Sequence, residues 1–183
     1  MSSCRSAIIV CTMVALGMGY EWFAPASGAV PALQPQAVLA VFDAHGKQVG
    51  QVVGVEAGHG GPSLIYVVVR LTAGPHTLVL SAHRDRLVGN TSAPTFESDD
   101  CSGQPFLVRP APDAILPAVA IVGPRAAVYL AAPEAIPRAI IAKSYLELDG
   151  SCLGGIEAHV SGRIPALKLV ELSVHFSPPF HVR

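Results

Sequence analysis

Ser63-Leu64-Ile65-Tyr66-Val67-Val68-Val69-Arg70-Leu71-Thr72-Ala73-Gly74-Pro75-His76-Thr77-Leu78-Val79-Leu80-Ser81-Ala82 is the stretch that decides the fold. Two runs rich in β-branched residues, 63–71 and 76–82, flank Ala73-Gly74-Pro75. Branched and aromatic side chains suit a pleated, half-buried surface, and Gly beside Pro marks a turn. The stretch reads as two strands joined by that turn. Residues 64–69 show no polar alternation, which predicts a central strand covered on both faces, whereas 76–81 alternate in part.

The same grammar extends in both directions. Strand-length runs occupy residues 37–42, 49–55, 118–122, 127–131 and 140–148. Asp43-Ala44-His45-Gly46 and Gly123-Pro124-Arg125 are turns: Asp bonds its own backbone and Gly46 supplies positive φ. Residues 56–62, with Gly58, Gly60, Gly61 and Pro62, read as a longer loop. In the window 133–148, Ala, Glu and Lys permit helix, but Pro137 and the branched Ile136, Ile140 and Ile141 favour strand. Proline recurs along the chain; it breaks helices and is confined in sheets to edges, ends and bulges. Short strands with turn signals between them predict an all-β fold, an antiparallel sandwich or partly open barrel.

Composition agrees. Of 183 residues, 51% are hydrophobic and 14% charged, with a net charge of −1. That is too apolar and too weakly charged for a disordered chain. The 12 Lys and Arg are scattered among 13 Asp and Glu, so no basic stripe marks a nucleic-acid partner. Heptad spacing and internal repeats are absent from the pattern.

The amino terminus reads as a signal peptide. Arg5 precedes an apolar run over residues 7–18, and Ser27 and Ala29 are small residues placed for cleavage before Val30. A membrane anchor needs about 20 apolar residues, and Glu21 interrupts the run. Cys11 follows Val10 rather than a small residue, which argues against lipidation. The division expected is 1–29 signal peptide and 30–183 a single β-rich domain, exported to the periplasm or secreted, with no membrane span after cleavage. Nine Arg against three Lys and a single Asn suggest a GC-rich bacterial source. Asn90-Thr91-Ser92, a glycosylation acceptor pattern, would then be idle. Cys4 and Cys11 leave with the leader, so Cys101 and Cys152 are expected to form one disulfide in an oxidising compartment. Closing its loop would be worth about 4 kcal/mol on the chain-entropy account.

Each candidate for chemistry has a plainer alternative. Gly150-Ser151-Cys152-Leu153-Gly154 has nucleophile-elbow spacing, but the glycine-led continuation does not supply the helix that device requires; a half-cystine in a turn is preferred. The seven histidines, His45, His59, His76, His83, His159, His175 and His181, raise copper or zinc, but no pair has a recognised ligand spacing. Asp99-Asp100 before Cys101 has too few oxygen ligands for a calcium loop; a polar turn capped by Asp100 or Ser102, with Gly103 at positive φ, is expected. The segment 83–90, with Arg84, Asp85 and Arg86, is the densest charge cluster and reads as a solvated loop able to meet an anionic partner.

Four pieces line up in order: Asp43-Ala44-His45-Gly46-Lys47; Asp100-Cys101-Ser102-Gly103-Gln104-Pro105-Phe106; Ser144-Tyr145 with Asp149-Gly150-Ser151-Cys152; and Phe176-Ser177-Pro178-Pro179-Phe180. Together they resemble a group of uncharacterised exported bacterial β-rich proteins. That group carries a D-x-N-G-K hairpin, a D-C-[ST]-G-x-P-[YF] turn, a second cysteine and a terminal F-x-P-P-F. His45 stands where the group commonly has Asn. The resemblance implies export, β structure and paired cysteines; it brings no catalytic, cofactor or metal residues. The expected function is a non-catalytic binding or structural module of the cell envelope or exterior. The alternatives are a hydrolase using Cys152, His159 or His83, and Asp149; a small outer-membrane β-barrel; and a metal-handling protein.

Overall fold

The computed structural model describes residues 38–57, 65–111, 114, 116–132 and 134–183. The signal-peptide reading, His59 and the loop after Ala57 fall outside them. Among the described residues fourteen strands follow in chain order: β1 (Ala40–Phe42), β2 (Gln48–Ala57), β3 (Ile65–Ala73), β4 (His76–Ala82), β5 (Leu87–Val88), β6 (Thr95–Phe96), β7 (Phe106–Val108), β8 (Val119–Val122), β9 (Ala127–Ala131), β10 (Arg138–Ala142), β11 (Ser144–Leu146), β12 (Cys152–Leu153), β13 (Ala158–Glu171) and β14 (His181–Val182). A 3-10 turn, Leu172–Val174, is the only helical element among the described residues. The fold is all-β, built of curled antiparallel sheets, as the strand-and-turn grammar predicts.

One sheet has the order β14-β1-β2-β3-β4-β5; the other runs β12-β11-β6-β7-β13-β9-β8, with β10 also paired to β13. The first sheet curls until its ends meet: Phe180, just before β14, donates its N–H to the Arg84 carbonyl in the β4–β5 turn at 2.7 Å. Its concave face contributes Val69, Leu71, Leu78 and Leu80 to a core shared with Val119, Val128 and Leu130 of the second sheet. On their other face, β8 and β9 present Ala120, Val122, Tyr129 and Ala131 to Leu107 and Ile164. The curl of the second sheet thus covers its own hairpin.

That hairpin corrects one expectation. The strand covered on both faces is β9, all five of whose residues are buried, whereas in the described part of the run at 64–69 Tyr66, Val67 and Val68 are only half-buried. In β3, Val69 and Leu71 are buried while Arg70 between them is exposed and reaches Gln51 at 2.7 Å. The small side chains of Ala127 and Ala131 fit between layers without giving a strong apolar signal.

The longest strand, β13, lies outside the predicted runs. Gly162 and Pro165 interrupt its pattern, and both fit for local reasons. Residues 158–163 pair with β10 and 166–171 with β9, so these two act as one broken partner strand. The Pro165 carbonyl accepts from Ala132 N–H in the break, at 2.8 Å. A strand residue points its N–H and C=O to the same edge, so the missing proline donor faces the place where the ladder is already interrupted.

Candidate functional site

The four sequence motifs come together in two pairs. In the first, the β1–β2 turn meets the carboxyl-terminal segment. Asp43 is 2% exposed, and its carboxylate accepts N–H bonds from His45 at 2.9 Å, Lys47 at 2.8 Å and Ser177 at 3.2 Å. Gly46 takes φ 77°, as the turn requires. Ala44 N–H returns a bond to the Ser177 carbonyl at 2.8 Å, and the Lys47 ammonium sits 4.9 Å from the Phe176 ring centroid. Burial by itself pushes the Asp43 carboxyl up, but the N–H groups of Lys47, Ser177 and His45 together outweigh it and hold it below its ordinary value.

In the second pair, Cys101 and Cys152 form the expected disulfide, with Cα atoms 5.9 Å apart. A short Asp–Ser turn adjoins each half-cystine: Cys101 lies between Asp100 and Ser102, and Cys152 follows Ser151 at the start of β12. Asp100 accepts from the Ser102 hydroxyl at 2.6 Å, and Asp149 from the Ser151 hydroxyl at 2.7 Å. These hydroxyl bonds, joined by the N–H bonds of the same serines, hold both carboxyls below their ordinary values. Gly103 adopts φ 81°, and Cys101 itself lies at φ 55°. Ser144 is fully buried beneath them; its hydroxyl accepts from Cys101 N–H at 3.0 Å and donates to the Ser98 carbonyl at 2.6 Å. This hub escaped sequence reading because an isolated serine carries no pattern. A β-carbon at Gly154 would collide with the Asp99 carbonyl, so the chain can pass the disulfide there only as glycine.

The nucleophile-elbow candidate is thereby disposed of locally. Cys152 is oxidised, and the segment after it leads through Gly154 and Gly155 into β13 rather than a helix. The histidines scatter. His45 lies in the first turn, His76 starts β4, His159 is exposed on β13 opposite Ile141, and His175 follows the 3-10 turn. His181 stacks on Phe42 with centroids 6.1 Å apart. Among the described residues no three His, Cys, Asp or Glu side chains are grouped to hold a metal ion. The Asn90 carboxamide is engaged internally: it accepts from Val119 N–H at 2.7 Å and donates to the Pro117 carbonyl at 3.0 Å.

The charged segment 83–86 is the β4–β5 turn, and an open cleft lies on each side of it. His83 stacks face to face on Tyr66, centroids 3.7 Å apart. Burial, then the Arg86 charge, depress its pKa against the opposing pull of Asp85 and Glu56, which favours the neutral imidazole. One cleft, of about 850 Å³, follows the seam of the curled sheet between Tyr66, His83 and Arg84 on one side and Phe180 to Val182 on the other. The second, of about 630 Å³, lies between β5 and β8 and brings His83, Asp85, Asp149 and Ser173 to an apolar interior. Volumes of this order are those of small-molecule sites. His159 lines neither cleft.

His83, Asp149 and Ser173 share the second cleft without forming a relay. The Ser173 hydroxyl donates to the Arg125 carbonyl at 2.9 Å, Asp149 is turned onto Ser151, and His83 is stacked on Tyr66. Among the described residues no hydrogen bond links the three, and no helix is long and apolar enough to cross a membrane. The disulfide is consistent with an oxidising, exported environment. No protein-family model, curated protein or solved structure matches the chain.

Proposed function

We propose that this chain is an exported, non-catalytic binding or structural module of a bacterial cell envelope or exterior, cleaved before Val30. One observation carries the reading: the candidate nucleophile Cys152 and the carboxylates singled out by the sequence are engaged in internal bonds. Cys152 is half of a disulfide, Asp43, Asp100 and Asp149 are held by backbone N–H groups and serines, and the serine and histidine of the cleft are not coupled. Nucleophilic catalysis requires a free nucleophile within hydrogen-bond reach of a base. What the turns leave open to solvent is an apolar cleft rimmed by polar side chains, the usual form of a binding site. Loops carry it and the sheets only position them.

The test is a thiol titration of protein purified from the exported fraction, native and denatured, alongside assays with chromogenic ester, peptide and glycoside substrates. The expected result is no titratable thiol and no turnover. Two free thiols, with turnover abolished by the thiol reagent, would overturn the reading in favour of a cysteine hydrolase.

A further inference from the structure

We propose that a third cleft, where the β3–β4 turn faces the 3-10 turn after β13, binds a small organic anion with an apolar body. The ligand class is a medium-chain monocarboxylate, its carboxylate seated on the Lys47 ammonium. The site rests on the binding-module reading and gives it a place and a ligand chemistry.

Three tight turns build the cleft. Gly74, at φ 59°, and Pro75 close β3 onto β4 within two residues and set Thr72 and His76 on one rim. The 3-10 turn makes the opposite rim: the Leu172 carbonyl accepts from His175 N–H at 2.9 Å and from Phe176 N–H at 2.8 Å, which fixes both residues. The turn held by Asp43 delivers Lys47. The space between them is about 490 Å³, within the range of small-molecule sites. Its floor reaches Leu71 and Leu172, which are 4% and 3% exposed and belong to the core between the sheets.

The lining is one-sided in charge and in hydrogen bonding. Of its twelve residues, eight are apolar or glycine, and the other four are Lys47, Thr72, His76 and His175. Each of those four can donate a hydrogen bond, and none is a carboxylate. The acidic residues adjacent in sequence are committed elsewhere. Asp43 accepts His45 and Lys47 N–H on one oxygen and Ser177 N–H on the other. Glu171 is drawn onto Lys168 at 3.1 Å and Arg125 at 3.4 Å.

Lys47 supplies the selectivity. Its ammonium donates to the His175 carbonyl at 3.1 Å and lies 4.9 Å from the Phe176 ring centroid, so two residues of the cleft wall hold it in place. Among the described residues it forms no ion pair. An ammonium has three N–H donors, and the carbonyl engages one of them. A positioned cation with donors to spare, beside an apolar floor, is matched by a carboxylate on a hydrocarbon body. A small anion leaves the floor uncovered, an alcohol of the same length leaves the charge unpaired, and an alkylammonium is repelled.

The experiment is a titration of the ¹⁵N-labelled exported protein, at constant ionic strength, with octanoate, 1-octanol, acetate and octylammonium. Octanoate should give saturable amide shifts at Lys47, His76 and Phe176. Octanol should bind about tenfold or more weakly, and acetate and octylammonium should produce none of these shifts. Lys47→Met keeps an apolar stem and the backbone N–H on Asp43, and should weaken octanoate about tenfold, to the level of octanol. Thr72→Glu, at an exposed position on the rim, should weaken octanoate as well and keeps the test independent of how the Lys47 variant folds. Lys168→Met, outside the lining, should leave binding unchanged. No saturable octanoate binding, octanol binding as tight as octanoate, shifts confined to another face, or a Lys47→Met protein that binds like the parent would each overturn the site and leave the module reading standing. Free thiols with thiol-dependent turnover overturn the module reading instead, whatever octanoate does.

Discussion

The Asp43 clasp and the Cys101–Cys152 clasp do the same job by different chemistry. Asp43 and Ser177 are 134 positions apart and are joined only by hydrogen bonds, whereas the cysteines are 51 apart and covalently linked. The longer connection is the non-covalent one because β1 and β14 already pair there, closing the chain. Asp43 has only to fix the turn beside them, in a site screened from water. The disulfide stands where the sheet cannot hold itself: β12 is a two-residue edge strand and both of its residues are exposed. A covalent bond is used where secondary structure is shortest, and a buried carboxylate where it is already sufficient.

That contrast can be broken one clasp at a time. The largest effect should come from the disulfide: reduction, or Cys101→Ser with Cys152→Ser, should lower the Tm by about 10 °C in calorimetry, following a loss of about 4 kcal/mol. Gly154→Ala should follow, destabilising by about 1–3 kcal/mol in urea unfolding, because its new methyl meets the Asp99 backbone rather than a movable side chain. Ser144→Ala should cost a similar about 1–3 kcal/mol by leaving the half-buried Cys101 N–H and the Ser98 carbonyl without their hydroxyl partner.

The Asp43 clasp should answer to acid instead. Its carboxyl is held below the ordinary 3.8, so its contribution is fully present above that value and is lost as pH falls through the lower folded value. Asp43→Asn should flatten the acid limb of a stability–pH curve and leave the response to reductant unchanged. The carboxamide nitrogen so introduced would face Ser177 N–H, donor against donor. The smallest effect belongs to His83, whose pKa is depressed from 6.5. Its neutral form favours the fold, so stability declines as pH drops below 6.5, and His83→Phe should remove that shallow slope while keeping a ring on Tyr66.

The same physics explains what was legible in the sequence. β4 and β9 coincide with their β-branched runs, and the Asp43, Asp100 and Gly123 turns follow from residues whose local chemistry is strong. Pairing of Cys101 with Cys152 needed only the removal of the leader cysteines. By contrast, β13 was hidden because Gly162 and Pro165 are tolerated only by virtue of its partners. Strands of two or three residues, such as β5, β6 and β12, are too short for any periodicity. The cleft could not be read at all, since Leu87, Ile121, Leu148 and Phe180 meet only when the sheets curl. The resemblance of the four motifs to exported proteins remains an expectation, but their pairwise meeting gives each of them a structural task.

The account depends most on an oxidised, exported molecule. Non-reducing digestion and mass spectrometry of the protein from its native host test this directly. The account predicts a Cys101 peptide linked to a Cys152 peptide and an amino terminus at Val30. Recovery of Met1 together with two alkylated, unlinked cysteines would contradict it.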